Sequence, residues 1–441
     1  MSGDTNIYMS MKRTARLALL AAALCAALAV AVAWPRAQMI AASSPAAWAA
    51  TPDKVARGAY LARAGDCMAC HTARGGAAYA GGRVLDTPYG RLVAPNITPD
   101  RATGIGAWSA DDFWNALHNG IAPGGRLLYP AFPYPNYTKV TRADSDALFA
   151  YLRSLNAVRQ ANTPHALDFP YRLQPALAAW RLLYFTPGEY VPRPAPAPAS
   201  ARADAWNRGA YLVEGLGHCG ACHSARNAMG ASSAVLDGGL LATSGWYAPA
   251  LTAGGEAGPG EWRGADLVQL LRTGVAPGHA VSGPMAEVIE QSLQYLSEPD
   301  LAAMALYLAS LPAPPGRHAA PEPAPAPPDA LMQHGARLYG QHCADCHGKD
   351  GRGVDEVYPP LAGNRMVTTP EPVNAIRIVL NGGFPPATAG NPRPYGMPPY
   401  SPILNDDDVA AVISYVRASW GNAARAITPS EVNRYRAVPL D

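Results

Sequence analysis

Cys67-Met-Ala-Cys70-His71, Cys219-Gly-Ala-Cys222-His223 and Cys343-Ala-Asp-Cys346-His347 decide how the rest of this sequence is read. Each is a C-x-x-C-H stretch, in which two thiols form thioethers with the vinyl groups of a haem and the adjacent histidine ligates the iron. The two intervening residues set both sulfurs along one porphyrin edge, and the next side chain reaches beneath the metal. Six of the seven cysteines are used in this way. A thioredoxin-like redox pair explains C-x-x-C but not a histidine that follows it three times. A zinc ribbon needs its knuckles close together, and these are more than a hundred residues apart. The reading is therefore three covalent haem c groups, attached through Cys67, Cys70, Cys219, Cys222, Cys343 and Cys346, with His71, His223 and His347 as proximal iron ligands.

A chain of 441 residues is too long for one small core and fits two to four domains. It is 49% hydrophobic and only 15% charged, with 42 glycines and 44 prolines, which suits short helices joined by many loops. The formal net charge of +2 gives no reason to expect nucleic acid as a partner. Lys12, Arg13 and Arg16 precede an apolar run from Leu17 to Trp34, the pattern of an export signal. Export agrees with haem attachment, which takes place outside the bacterial cytoplasm. The run also sits at the lower edge of membrane-spanning length, so residues 1–50 are read as a signal peptide, with Ala47-Trp48-Ala49 as its cleavage site, or as an N-terminal membrane anchor. Cys25, inside that run, reads as a small hydrophobe.

The chain then divides by composition. A first unit, 52–156, opens with an amphipathic helix over Lys54–Arg63 that delivers the first cysteines. Extended chain follows at Pro88-Tyr-Gly90 and Pro95–Pro99, then a helix capped near Ser109 that stops at Gly120, and a closing helix from about Ala143 to Leu155. The closing helix is expected to pack on the opening one. Residues 157–200 form an apolar covering segment, rich in residues such as Phe169, Leu177 and Trp180, and end in a proline-rich linker. That segment either covers the first unit or receives a partner enzyme or membrane surface. The second unit, 201–311, repeats the design: Arg208-Gly-Ala-Tyr-Leu212 parallels Arg57-Gly-Ala-Tyr-Leu61, with one residue inserted before its cysteines. A Pro/Ala tract over 312–328 precedes a third unit, 329–421, with helices around Pro372–Leu380 and Asp406–Trp420. A C-terminal tail, 422–441, carries one more short helix. The expected fold is all-α, with three tandem units.

A low-spin electron-transfer haem takes a sixth ligand, commonly a methionine on the loop before the last helix. Met285, after Gly283-Pro284, and Met397, in Tyr395-Gly-Met-Pro-Pro399, occupy that place in the second and third units. The first unit has no methionine between His71 and its linker, and the corresponding loop reads Leu128-Tyr-Pro-Ala-Phe-Pro-Tyr-Pro-Asn-Tyr137. Aligning the closing helices on Tyr151, Tyr307 and Tyr415 sets Met285 opposite Tyr129 and Met397 opposite Pro133. The first haem is thus five-coordinate or takes another ligand, with His118, His165, a tyrosine of this loop and Lys139 as candidates. The acidic pairs at Asp111 and Asp406 open helices, where negative charge is favoured without any catalysis.

Arg57-Gly-Ala-Tyr-Leu-Ala-Arg-Ala-Gly-Asp-Cys-Met-Ala-Cys-His71, Tyr89-Gly-Arg-Leu-Val-Ala-Pro-Asn-Ile-Thr-Pro-Asp100, Leu128-Tyr-Pro-Ala-Phe-Pro-Tyr134 and Arg208–His223 together resemble the tri-haem cytochrome c subunits of membrane-bound bacterial dehydrogenases. The resemblance covers nearly everything after Pro52. It implies three tandem class I cytochrome c-like domains and an electron-transfer subunit that is not itself catalytic. The implied partners are a dehydrogenase catalytic subunit of molybdenum, quinoprotein or flavoprotein type, a small accessory subunit, and ubiquinone or a terminal oxidase. The implied location is the periplasmic side of the inner membrane, peripheral or held by an uncleaved N-terminal helix. Met285 and Met397 match the family's sixth-ligand positions. Phe132 stands where many alcohol-dehydrogenase relatives have methionine, which points toward the aldehyde or isoquinoline branch. Two other readings stay open: the first haem as an open catalytic or ligand-binding centre, and the chain as mainly an anchoring subunit.

Overall fold

The computed structural model describes residues 15–23, 25–27, 49–197, 199–233, 235–241, 244–255, 264–313 and 324–438. Lys12, Arg13, most of the candidate cleavage site and residues 314–323 of the second Pro/Ala tract lie outside them. Among the described residues no helix is long and apolar enough to cross a membrane.

Three pairs of helices carry the architecture, and each pair crosses at a glycine. Helix α1 (Pro52–Ala64) starts at Thr51, whose hydroxyl accepts from the Lys54 amide, and at a proline suited to the first turn. It packs on α3 (Arg142–Ser154), with α2 (Ala110–Asn119) alongside. A Cβ on Gly58 would lie 1.9 Å from the Ala147 carbonyl oxygen, so only glycine lets the two backbones meet. The second pair, α5 (Ala203–Ala210) on α8 (Glu298–Ala309), meets the same way at Gly209, where a Cβ would be 2.0 Å from the Ala303 oxygen. The third, α9 (Asp329–His342) on α11 (Asp406–Ala418), meets at Gly335, 2.3 Å from the Ala411 oxygen. The packing of opening on closing helices expected from the apolar spacing is thus realised.

The residue inserted in the second repeat is absorbed in place. Tyr211–Leu216 continues α5 as a π-turn, with the Gly217 amide bonded to the Leu212 carbonyl at 2.7 Å. A π-turn is the usual way to house one extra residue in a helix without breaking it.

The all-α reading holds, with only small antiparallel ribbons among the described residues beside the helices. Three departures from the sequence reading have physical causes. The extended chain expected around Pro88–Gly90 is the turn of a hairpin, Val84–Thr87 with Gly90–Val93, to which Ala166–Leu167 adds a third strand. Residues 157–200 are more than a cover and linker: they contain α4 (Gln174–Tyr184), which buries Leu177 against Ile121 and Leu127. On the same helix Trp180 packs beside Tyr134 and Ala231 and donates its indole N–H to the Met229 carbonyl, 2.8 Å away in the second unit. The tail beyond 421 is no appendage either. Thr428 and Glu431 form a capping box for α12 (Pro429–Arg436), and Ile427 and Val432 are buried in the core of the third unit.

Among the described residues two large apolar cores lie beside the small clusters around Leu177 and Trp180, and they do not follow the three units one to one. Leu61, Leu117, Leu148 and Leu152 share one continuous cluster with Leu212, Leu216, Leu301 and Leu308 of the second repeat. Leu338, Ile376, Leu380, Val409 and Ile413 form a separate one.

Candidate functional site

Each C-x-x-C-H stretch is a single tight turn at the end of an opening helix. In the first two repeats the residue before the first cysteine, Asp66 or His218, takes a left-handed conformation (φ 49° and 38°) and so swings the turn off the helix axis. Arginines brace these turns from outside. Arg83 donates to the Ala69 carbonyl at 2.8 Å and Arg226 to the Ala221 carbonyl at 2.5 Å, both on the residue just before the second cysteine.

The histidines share one feature that recurs three times. Nδ1 of His71 lies 2.7 Å from the Pro95 carbonyl oxygen, Nδ1 of His223 2.7 Å from that of Pro249, and Nδ1 of His347 3.0 Å from that of Pro359. A carbonyl only accepts, so Nδ1 carries the proton in all three and Nε2 keeps its lone pair. Burial pushes all three imidazoles below their ordinary pKa, which favours the neutral, ligating form. Burial likewise pushes the Cys67 and Cys219 thiols up to about 12 and that of Cys343 up to about 11, so they rest as thiols rather than thiolates. Among the described residues no three His, Cys, Asp or Glu side chains converge as a metal cage. A pair of cysteines beside one imidazole whose Nδ1 is held by a backbone carbonyl suits a thioether-bound haem better than a four-ligand zinc.

Met285 is the second residue of α7 (Pro284–Gln291) and packs at the border of the first core, as Cys67 and Cys219 also do. Met397 is held by paired backbone hydrogen bonds with Gly383, at 2.8 and 3.0 Å, after α10 (Val373–Asn381). A cavity of about 650 Å³ opens beside it, walled in part by Trp246, Gly283, Phe384 and Pro398.

The candidates for the first haem separate clearly. Lys139 is 3.4 Å from Glu214 of the second repeat, and His165 accepts from the Val93 amide at 3.2 Å, so each already has a structural partner. His118 ends α2 stacked on Trp114, with ring centroids 4.4 Å apart. In the loop, Tyr137 donates to the Gly65 carbonyl at 2.8 Å, and Phe132 packs against Tyr137 and the core that Cys67 borders. Sequence reasoning missed the three prolines whose carbonyls set the histidines. Their signal was present, since an apolar residue or alanine and then proline precedes a loop after each site, but a backbone acceptor leaves no side-chain signature.

Helix pairs crossing at glycine, with a C-x-x-C-H turn and a fixed histidine at the end of the opening helix, define a c-type cytochrome. The cytochrome c family model matches residues 55–156 and 332–420. The gluconate 2-dehydrogenase cytochrome c subunit of Pantoea cypripedii is 40% identical over 402 residues, covering 87% of this chain and 89% of that protein. The cytochrome c subunit of alcohol dehydrogenase (quinone) from Gluconobacter oxydans is 36% identical over 400 residues, 87% of this chain and 82% of the relative. A diheme cytochrome c-type protein of Cereibacter sphaeroides is 35% identical over 279 residues, 62% of this chain but 90% of its own length. The chain belongs to the family of cytochrome c subunits of bacterial dehydrogenases, and its role there is to carry electrons rather than to catalyse.

Proposed function

We propose that this chain carries three haem c groups, one on each of Cys67/Cys70, Cys219/Cys222 and Cys343/Cys346, in three tandem class I cytochrome c-like units. On this reading it relays electrons from a periplasmic dehydrogenase catalytic subunit to ubiquinone or a terminal oxidase. The observation that carries it is the threefold bond from a C-x-x-C-H histidine to a proline carbonyl, which prepares three equivalent Nε2 ligands. Bound haem supplies reversible one-electron chemistry at iron. The cysteine pairs would hold the porphyrin, His71, His223 and His347 would each offer Nε2 to iron, and Met285 and Met397 would offer a thioether at the second and third sites. The names of the relatives support gluconate- or alcohol-oxidising partners, and residues 1–50 would deliver or anchor the chain at the periplasmic face.

The test is intact mass of the mature chain, which should exceed the polypeptide by three haems, followed by reduction of those haems when substrate is added to the co-purified complex. A mass short by one or more haems, or haems that substrate leaves oxidised, would overturn the relay. Phe132 in the distal loop favours one further reading, that the first haem lacks methionine ligation. Its visible spectrum should then shift with carbon monoxide or cyanide if the site is open, and stay fixed if another side chain fills it.

A further inference from the structure

The first two repeats are joined by an exchange of tyrosines. Within the first, Arg57 donates through Nε to Oδ1 of Asp144 at 2.8 Å, at the start of α3. Within the second, Arg208 grips Asp300 at the equivalent place on α8 with two bonds, 2.8 and 2.7 Å. Arg57 leaves Oδ2 of Asp144 to another donor, and Oδ2 of Asp300 keeps a second lone pair beside the Arg208 bond; the other repeat supplies the donor in both cases. Tyr60 of α1 donates to Asp300 at 2.5 Å, and Tyr211 of the second repeat donates to Asp144 at 2.7 Å. Arg57 and Arg208 precede the crossing glycines by one residue, and Tyr60 and Tyr211 follow them by two, so equivalent positions make the exchange in both directions.

Further contacts lie around this clasp. A Cβ on Gly65 would be 3.2 Å from Leu216, and Arg63 reaches the Gln291 carbonyl at 3.2 Å with its guanidinium 4.3 Å above the Tyr295 ring. Arg83, already on the first attachment turn, pairs with Glu287 beside Met285. Tyr137 joins the two turns directly, bonded to the Gly65 carbonyl and edge-on to His218 at 5.3 Å. The third repeat breaks the pattern. His334 holds Asp408 at 2.8 Å in the arginine's role, but the tyrosine position is Arg337, which is exposed and bonds within its own helix to His334. That repeat meets the second without such an exchange, by way of Asn374 of α10 with Tyr247 of the strand Trp246–Ala248 and Thr388 with the Thr273 carbonyl.

We infer that Tyr60 and Tyr211 are positioning residues that lock the first two haem-attachment sites into one body with a fixed separation, leaving the third site outside the clasp. The inference rests on the haem reading above. Each tyrosine adds a donor from the other repeat to a carboxylate that already pairs with an arginine of its own unit, so both bonds hold only while the two repeats stay in register. Burial favours a protonated tyrosine at both positions, as a donor must be.

The experiment uses the full tri-haem chain and Tyr60→Phe, Tyr211→Phe and the double variant. Electron exchange among the haems after flash reduction is the readout, with intact mass to count them. Exchange between the first two haems should slow several-fold in the double variant, while exchange with the third keeps its rate. If the double variant matures poorly, Tyr60→Phe alone, which keeps the Tyr211 bond, carries the comparison with a smaller slowing. Three haems with unchanged exchange in the variants overturn the clasp. Slowing that affects all steps equally overturns it too, because a general loss of stability predicts that. Fewer than three haems on the unsubstituted chain overturns the underlying haem reading instead.

Discussion

An imidazole can offer Nε2 to iron only if its other nitrogen has a place for the proton, and here a proline carbonyl provides that place three times. The attachment residues were legible in the sequence because C-x-x-C-H is local, whereas the acceptors lie 12 to 26 residues away on backbone atoms. For the sixth ligand a methionine-bearing loop offers a candidate in the sequence, whereas a loop without methionine names none. Phe132 tests this gap. Phe132→Met should bring a thioether to the first haem, raise its potential and add a methionine–iron charge-transfer band to the visible spectrum. A spectrum identical to the unsubstituted protein would mean that Phe132 does not face that iron. On the proposed three-haem reading, Met397→Ala should do the reverse in the third unit, opening the site to carbon monoxide and lowering one potential.

At the scale of helices, the crossings depend on glycine for a reason of space, and α9 contains its own control. Gly335→Ala puts a methyl 2.3 Å from the Ala411 oxygen and should destabilise the third unit by about 1–3 kcal/mol or more through overpacking. Gly340, five residues on, has open space where a side chain would begin, with nothing within 4 Å, so Gly340→Ala should be neutral or stabilise by up to ~1 kcal/mol through helix propensity. Denaturant unfolding of the two variants distinguishes them by sign. The helix pairs themselves were readable from apolar spacing. The place of α12 was not, because its anchor is only Ile427 and Val432, and two apolar residues in a polar stretch look like a tail. Arg425 beside Glu431, with the Thr428 cap, holds that carboxyl at about 2, down from the ordinary 4.5. A lowered carboxylate pKa stabilises fully above about 4.5 and is lost as the pH falls toward 2. The pair is partly solvated, so its worth is on the order of 1 kcal/mol or less. Glu431→Gln should therefore loosen α12 at neutral pH by that amount and flatten the acid dependence of its protection from proteolysis over this window.

For the whole molecule, the repeat of Arg-Gly-Ala-Tyr-Leu announced a duplication but not that the copies face one another, because a repeat names equivalent positions and says nothing of which positions touch. The pairing emerges only when Tyr60 is seen on Asp300 and Tyr211 on Asp144, and the one sequence hint was Arg337 at the third tyrosine position. A core shared by two repeats and another confined to the third implies two cooperative bodies, not three. Surface lost from the shared core on cutting between the first and second repeats includes Leu212, Leu216, Leu301 and Leu308, while ending the chain after the second repeat leaves that cluster whole. A chain ending at Ala313 should accordingly mature with two haems and unfold in one transition at the midpoint that the first two units show in the full protein. A chain ending at Ala197 removes every second-unit partner of Tyr60, Arg63 and Lys139, and should aggregate or unfold at much lower denaturant. Intact mass and unfolding followed through the haem spectrum decide the matter: a single-unit chain as stable as the two-unit chain would show that the shared core is contact without cooperation.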